Sequence, residues 1–357
     1  MGRIISLFLV VCIISLLFAG CNFWSDEQVY IEPYQSNIDR PQSAVIDVGD
    51  YEQLKSSLIA AVRDFSEECT ISPRESIADS VETMLDRAIA HLMNDDPFGA
   101  YAVKQIEYEP GLSGDKSVIA IKITYHRQKT ELFKIRQTED VSVAKTVVSQ
   151  SLENCETGVV MYIENYEDID FVQYIADYAH DHPDVVMEIP QVVASVYPER
   201  GDSRIVELLY TYQTSRDELR LMQESVKPVF TSAELYVRGS EDHREKFGQL
   251  YSFLTERYAY KVETSITPSY SLLSHGVGDC RAFADVYAAM CRNAGLDCTV
   301  VSGTRDAEAW FWNRICIDGE YYYIDLLHCR ETGEFAIYKE TEMDGYVWDY
   351  SAQPRTV

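Results

Sequence analysis

Cys280 is the residue whose neighbours best prepare it to act as a nucleophile. It follows Gly276-Val277-Gly278-Asp279 and opens a run in which Phe283, Val286, Tyr287, Met290 and Cys291 recur at helical spacing. Asp279 is an N-cap by type and position, and Gly295 is a C-terminal stop, so Cys280 falls in the first turn. A thiol there feels the positive end of the helix dipole, which lowers its pKa and enriches the thiolate. The sequence thus predicts an activated, exposed Cys280 and an inert, buried Cys291. Such a thiolate needs a group that takes its proton and returns one to the leaving amine near neutral pH, a role histidine fills best. His275 lies five residues before Cys280 and His328 lies downstream.

Other candidate chemistry is thinner. His180-Asp181-His182 and Asp184 contain ligand types for a metal, but Pro183 marks them as a helix C-terminus with imidazoles near its negative end. No CxxC or Cys/His cluster has zinc spacing, so neither a metal nor a cofactor is expected. Arg200-Gly201-Asp202-Ser203 spells an adhesion tetrapeptide. Its counterpart Ser113-Gly114-Asp115-Lys116 shows that the Gly-Asp is turn chemistry.

The elements that must position Cys280 are legible on both sides. Phe247, Leu250, Tyr251 and Leu254 make one face of a helix ending near Tyr258, and a loop runs from there through Pro268. After Gly295 the pattern turns to strands, at 298–303, 309–317 and 320–327, with Asp318-Gly319 as a hairpin turn between the last two.

The run GVGDCRAFADVYAAMCRNAGLDCTVVSG, followed by WNRICIDGEYYYIDLLH, resembles the core of the transglutaminase-like superfamily, a papain-related thiol fold. The likeness covers about residues 240–345. It implies that Cys280 is the nucleophile and that Asp325 orients a catalytic histidine. The family places that histidine on the strand before the Asp-Gly turn. Counting back from Gly319, Trp310 occupies the position; with a two-residue bulge Glu308 does, and both point to the same face of a strand. Tryptophan cannot relay a proton, and a glutamate near pKa 4 is a poor donor unless burial raises it. Three readings follow. The domain is catalytically degenerate and binds peptide or cell-wall strands, with Trp310 and Trp312 as apolar contact surface. Alternatively, it is a working peptidase or acyl-transferase with a relocated His275 or His328. Lastly, Cys280 is a disulfide partner.

The 357 residues include 31 Lys+Arg and 58 Asp+Glu, a net charge of −27, so nucleic acid is not an expected partner and anionic lipid would repel the body. Residues 4–18 form an almost unbroken apolar run, shorter than the ~20 residues a bilayer core needs and matched to a signal peptide over 1–20. Phe18-Ala19-Gly20-Cys21 resembles the lipobox of bacterial lipoproteins, which implies acylation of Cys21, insertion of that lipid into a bilayer, and a place on the outer face of the cell membrane. Cys69, Cys155, Cys280, Cys291, Cys298, Cys316 and Cys329 then remain, an odd number that suggests pairs plus one free thiol in an oxidising compartment.

Residues 21–42 read as a tether. An internal repeat follows. Residues 113–132 lie without gaps on 200–219, identical at Gly114/Gly201, Asp115/Asp202, Thr124/Thr211, Tyr125/Tyr212, Glu131/Glu218 and Leu132/Leu219. Val45-Ile46-Asp47-Val48 before Asp50 resembles Val160-Met161-Tyr162-Ile163 before Asn165, which makes Asp50 and Asn165 the expected caps. An extra helix over 75–93 lengthens the first copy. The expected architecture is α+β: two β-α-β-β-α scaffold units at 43–157 and 158–240, the transglutaminase-like domain at 241–345, and a tail at 346–357.

Overall fold

The computed structural model describes residues 45–349 except 263. The expected signal peptide, Cys21, the tether and residues 350–357 lie outside the described residues. Among the described residues no helix is long and apolar enough to cross a membrane.

The chain first builds β1 (Ile46–Val48), α1 (Tyr51–Arg63), β2 (Glu68–Pro73), α2 (Val81–Asn94), α3 (Pro97–Ala102), β3 (Val103–Ser113) and β4 (Lys116–Tyr125). The sheet has the order β1-β2-β4-β3, with β1 and β2 parallel and the other pairs antiparallel. Leu54, Leu58 and Val62 of α1 and Leu85, Ala88 and Leu92 of α2 recur at helical spacing, and they bury one helix stripe each against Ile71, Ile119, Ile121 and Ile123.

A short α4 (Lys129–Leu132) leads to the second sheet. It comprises β5 (Arg136–Asp140), α5 (Val141–Glu153), β6 (Gly158–Asn165), α6 (Phe171–Asp181), β7 (Gln191–Tyr197) and β8 (Arg204–Thr211). Its order, β5-β6-β8-β7, has the same pattern of one parallel and two antiparallel pairs. The two sheets therefore share a topology, but their limits differ from the expected 43–157 and 158–240. The strand at 136–140 and the helix after it pair with the second sheet, so the seam falls between Tyr125 and Arg136. The counterpart of Asp50, which caps α1 through Gln53 N, is Asp140, which caps α5 through Val143 N; α6 is capped by Asp170, not Asn165. The helix expected over 75–93 is α2 (Val81–Asn94), and α6 holds the corresponding place in the element order of the second sheet. Sequence matching failed at the first strand because a three- to five-residue strand carries too little pattern. The Gly-Asp turns and the capping boxes Gln128/Glu131 and Ser215/Glu218 do correspond.

The remaining elements are α7 (Arg216–Val237), α8 (His243–Thr255), β9 (Ala259–Tyr260), α9 (Pro268–His275), β10 (Val277–Gly278), α10 (Cys280–Asn293), β11 (Cys298–Arg305), β12 (Glu308–Ile317), β13 (Glu320–Ile324), α11 (Leu326–Thr332) and β14 (Tyr346–Trp348). The antiparallel sheet β13-β12-β11-β14 lies against α10. Asp318 and Gly319 both take positive φ, 53° and 83°, as the two-residue β12–β13 turn requires. Leu219, Val226, Phe230 and Val237 of α7 pack with Phe247, Leu250, Phe283 and Tyr287. This helix thus belongs with the third body, not with the second scaffold unit. Likewise β14 closes the third sheet, so the tail begins after Trp348 instead of at 346.

Candidate active site

α10 forms as its sequence demands. Asp279 Oδ1 accepts from Ala282 N at 2.9 Å, and every residue from Ala282 to Cys291 is buried. Parallel pairing of β9 with β10 brings Tyr260 to the turn ahead of Cys280. Asn313 Nδ2 donates to the Ala284 carbonyl at 2.9 Å, tying β12 to α10. Cys280 is partly exposed and shares a small, tightly filled space with Phe283, Phe311, Asn313 and Asp325.

The Cys280 thiol is not activated as the sequence predicts. Burial pushes its pKa up, the carboxylates of Asp279 and Asp325 push the same way, and hydrogen bonds with the main chain of Phe311 and Arg281 only partly oppose them. The helix dipole loses first to burial of the thiol, and the capping carboxylate of Asp279 offsets it further. All seven described cysteines, Cys280 among them, are free thiols in the structure.

Asp325 is 1% exposed and saturated with donors. Its Oδ1 caps α11, accepting from Leu327 N and His328 N at 3.0 Å each. Its Oδ2 accepts from Trp310 Nε1 at 2.8 Å, from the Tyr346 hydroxyl at 2.7 Å and from Arg305 Nη1 at 3.3 Å. Burial and the bond to Asp325 hold the Tyr346 phenol well above its ordinary range. Trp310 thus bonds to the acid that the resemblance pairs with a histidine. It makes the orienting bond to the acid, but an indole has no second nitrogen to offer the thiol. Glu308 does not fill the slot: it is exposed at the start of β12, opposite Arg305.

Neither substitute histidine reaches the centre. The His275 Nδ1 lies 3.3 Å from Ser271 Oγ, and the His328 Nδ1 lies 3.2 Å from Arg305 Nη2 and 3.7 Å from Glu331. His328 meets Asp325 only through its main-chain N–H. Among the described residues no imidazole is hydrogen-bonded to Cys280 or to the Asp325 carboxylate. Trp312 is also misplaced by the sequence reading. It is 1% exposed, packed with Val301, Tyr323, Met343 and Trp348, and is core instead of contact surface. Strand alternation sends 310 and 312 the same way, but β14 covers the second. Trp310 is half-buried, with Tyr260 across from it at 6.0 Å.

Arg305 and Tyr346 were not foreseen as site residues. Tyr346 arrives on β14, which pairs with β11 through Gly303↔Trp348 and Arg305↔Tyr346. That approach requires glycine: a Cβ on Gly303 would meet the Trp312 ring at 2.7 Å and lie closer still to the Val347 carbonyl. A second cluster also escaped notice. Asp285 on α10 is buried, its Oδ2 lies 2.8 Å from His180 Nδ1, and Arg281 Nε lies 3.1 Å from the same nitrogen. His180 thus belongs to a contact between the second repeat and α10. The legible signal was an acid among Phe283, Ala284 and Val286, which had to find a partner. Among the described residues no cluster is suited to a metal ion.

The transglutaminase-like superfamily matches this chain over residues 231–326. No curated protein matches it in sequence. Among solved structures it is similar to a TGase, with 11% identity, a TM-score of 0.27 and coverage of 47% of this chain and 50% of that one. It is likewise similar to the periplasmic domain of TgpA from Pseudomonas aeruginosa, with 17% identity, a TM-score of 0.26 and coverage of 36% and 55%. The chain thus spans about half the length of either structure. Helices and strands are mixed along the chain, and the family match takes in the helix that opens with Cys280 and ends one residue beyond Asp325. The chain is an α+β protein that carries a transglutaminase-like domain over residues 231–326.

Proposed function

We propose that this domain is catalytically silent and binds peptide or cell-wall strands at the mouth beside Cys280. The observation that carries this reading is the 2.8 Å bond from Trp310 Nε1 to Asp325. The acid's orienting bond goes to a ring that can neither accept the thiol's proton nor return one. A raised thiol pKa compounds the defect, because less thiolate is present near neutrality. In serine triads, loss of one member removes roughly 10⁴–10⁶ of the rate, which is the scale expected here. The half-buried Trp310 and the exposed Tyr260 give the mouth an aromatic rim on which an extended peptide can lie.

The N-terminal pattern supports a place for the domain outside the cytoplasm. In this reading the signal peptide is removed and Cys21 is acylated. Cleavage at Cys21 and its acylation predict a membrane-bound form that becomes soluble on Cys21→Ala.

The function is tested by incubating the full chain with peptide amides and following hydrolysis and acyl transfer. No turnover above that of Cys280→Ala supports silence. Turnover that Cys280→Ala abolishes contradicts it.

A further inference from the structure

We propose that Arg281 is a carboxylate receptor at the edge of the Cys280 cleft, held in its binding pose by His180 of the second repeat, and that its ligand is a peptide bearing a free carboxylate. This rests on the reading of the cleft as a peptide-binding surface and names the group that surface selects.

Arg281 stands in the first turn of α10, one residue after Cys280. Its guanidinium carbon lies 4.6 Å over the Phe311 ring. Its Nε is 3.1 Å from His180 Nδ1 and 3.6 Å from Asp285 Oδ2. The inner edge of the fork is thereby occupied and the plane is stacked. No protein acceptor engages the two Nη groups among the described residues, and the side chain is 36% exposed. A planar fork with its outer edge open and its rotamer fixed matches a carboxylate in two parallel hydrogen bonds, with little ordering left to do on binding.

Asp285 lies 3.6 Å from the Nε side of the fork and leaves the Nη edge open. Its side chain is 4% exposed, and burial pushes its carboxyl up against the pull of His180 and Arg281. Asp279 is committed to its helix cap. The receptor adjoins the thiol through Phe311, whose ring lies under Arg281 and whose main chain hydrogen-bonds to Cys280. Arg281 also lines a niche of about 40 Å³ in which Met187, Ile189, Ile266 and Pro268 face Asp279 and Asp285, with room for one small group beside the carboxylate. The second repeat therefore contributes to recognition through His180, Met187 and Ile189, beyond serving as a spacer.

The test titrates the full chain with three probes: acetyl-Ala-Ala with a free C-terminus, acetyl-Ala-Glu-amide and acetyl-Ala-Ala-amide. Calorimetry gives affinity, and the ¹⁵N Nε–Hε signal of Arg281 reports contact. The expected result is that one or both carboxylate peptides bind at least tenfold more tightly than the amide and shift that signal. Which of them does so separates a terminal from a side-chain carboxylate. Arg281→Gln should erase the preference, and Arg281→Lys, which keeps charge and bulk, should lose most of it. His180→Ala should weaken the carboxylate peptides several-fold and leave the amide unchanged. Equal binding of all three probes, no binding by any, or an intact preference in a folded Arg281→Gln protein would overturn the proposal. Hydrolysis is no part of the readout, so an active wild type would sink the silent-domain reading and leave this one standing.

Discussion

The indole N–H of Trp310 donates to Asp325 Oδ2 at 2.8 Å, so the acid that should orient an imidazole instead holds a ring with one nitrogen. The nitrogen that makes this bond has no second ring nitrogen behind it to relay a proton. Tyr346 and Arg305 share the same oxygen, and the capping N–H groups of α11 use the other. Asp325 is therefore a structural hub joining β11, β12, β14 and α11.

That hub sets the first expectation. Asp325→Asn would turn an NH₂ toward groups that are all donors. Removing a buried, multiply bonded charge in this way should destabilise the protein by about 3–5 kcal/mol. Urea denaturation checks it. A loss below ~1 kcal/mol would mean that the donors are satisfied elsewhere.

Gly303 makes the second. Gly303→Ala places a methyl against the Val347 carbonyl and the Trp312 ring, so β14 must move away and Tyr346 must leave Asp325. Overpacking of this kind should lower stability by about 1–3 kcal/mol. Amide exchange should quicken over 346–348 more than over 298–302. Unchanged protection at 346–348 would contradict the account.

The two tryptophans of β12 should separate cleanly. Trp312→Ala removes a fully buried ring and should destabilise by about 3–5 kcal/mol. Trp310→Ala leaves half-buried space at the rim and should act mainly on peptide affinity. Thermal melts of the two variants beside peptide titrations decide this, and equal stability losses would argue that Trp310 is merely core.

Much of this was legible beforehand. The Cys280 helix with its Asp279 cap, the Asp318-Gly319 hairpin and the Gly-Asp turns of the two repeats all announce themselves locally, because cap and turn chemistry acts over three or four residues. The open choice between Trp310 and Glu308 turned on contacts the sequence does not show: the Trp310 indole bonds to Asp325, just past β13, and Glu308 lies opposite Arg305. What failed depended on neighbours remote in the chain. The dipole argument for a low Cys280 pKa ignored the packing of Phe283 and Phe311 around the thiol. Trp312 looked like surface until β14, hidden in an apparent tail, was laid over it. His180 does lie at the end of α6, as expected, but its partner Asp285, 105 residues later, could not be read locally.

The most direct test is the pH profile of Cys280 alkylation in wild type and in Trp310→His. Because the wild-type thiol is pushed up, its thiolate fraction lies below that of ordinary cysteine at pH 7. Labelling should therefore keep accelerating through pH 9 without an earlier plateau. An imidazole in the same slot should speed labelling at pH 7 by about tenfold or more and flatten the profile. A wild-type profile already flat from pH 6, unchanged by the substitution, would contradict the claim that Trp310 has broken the relay.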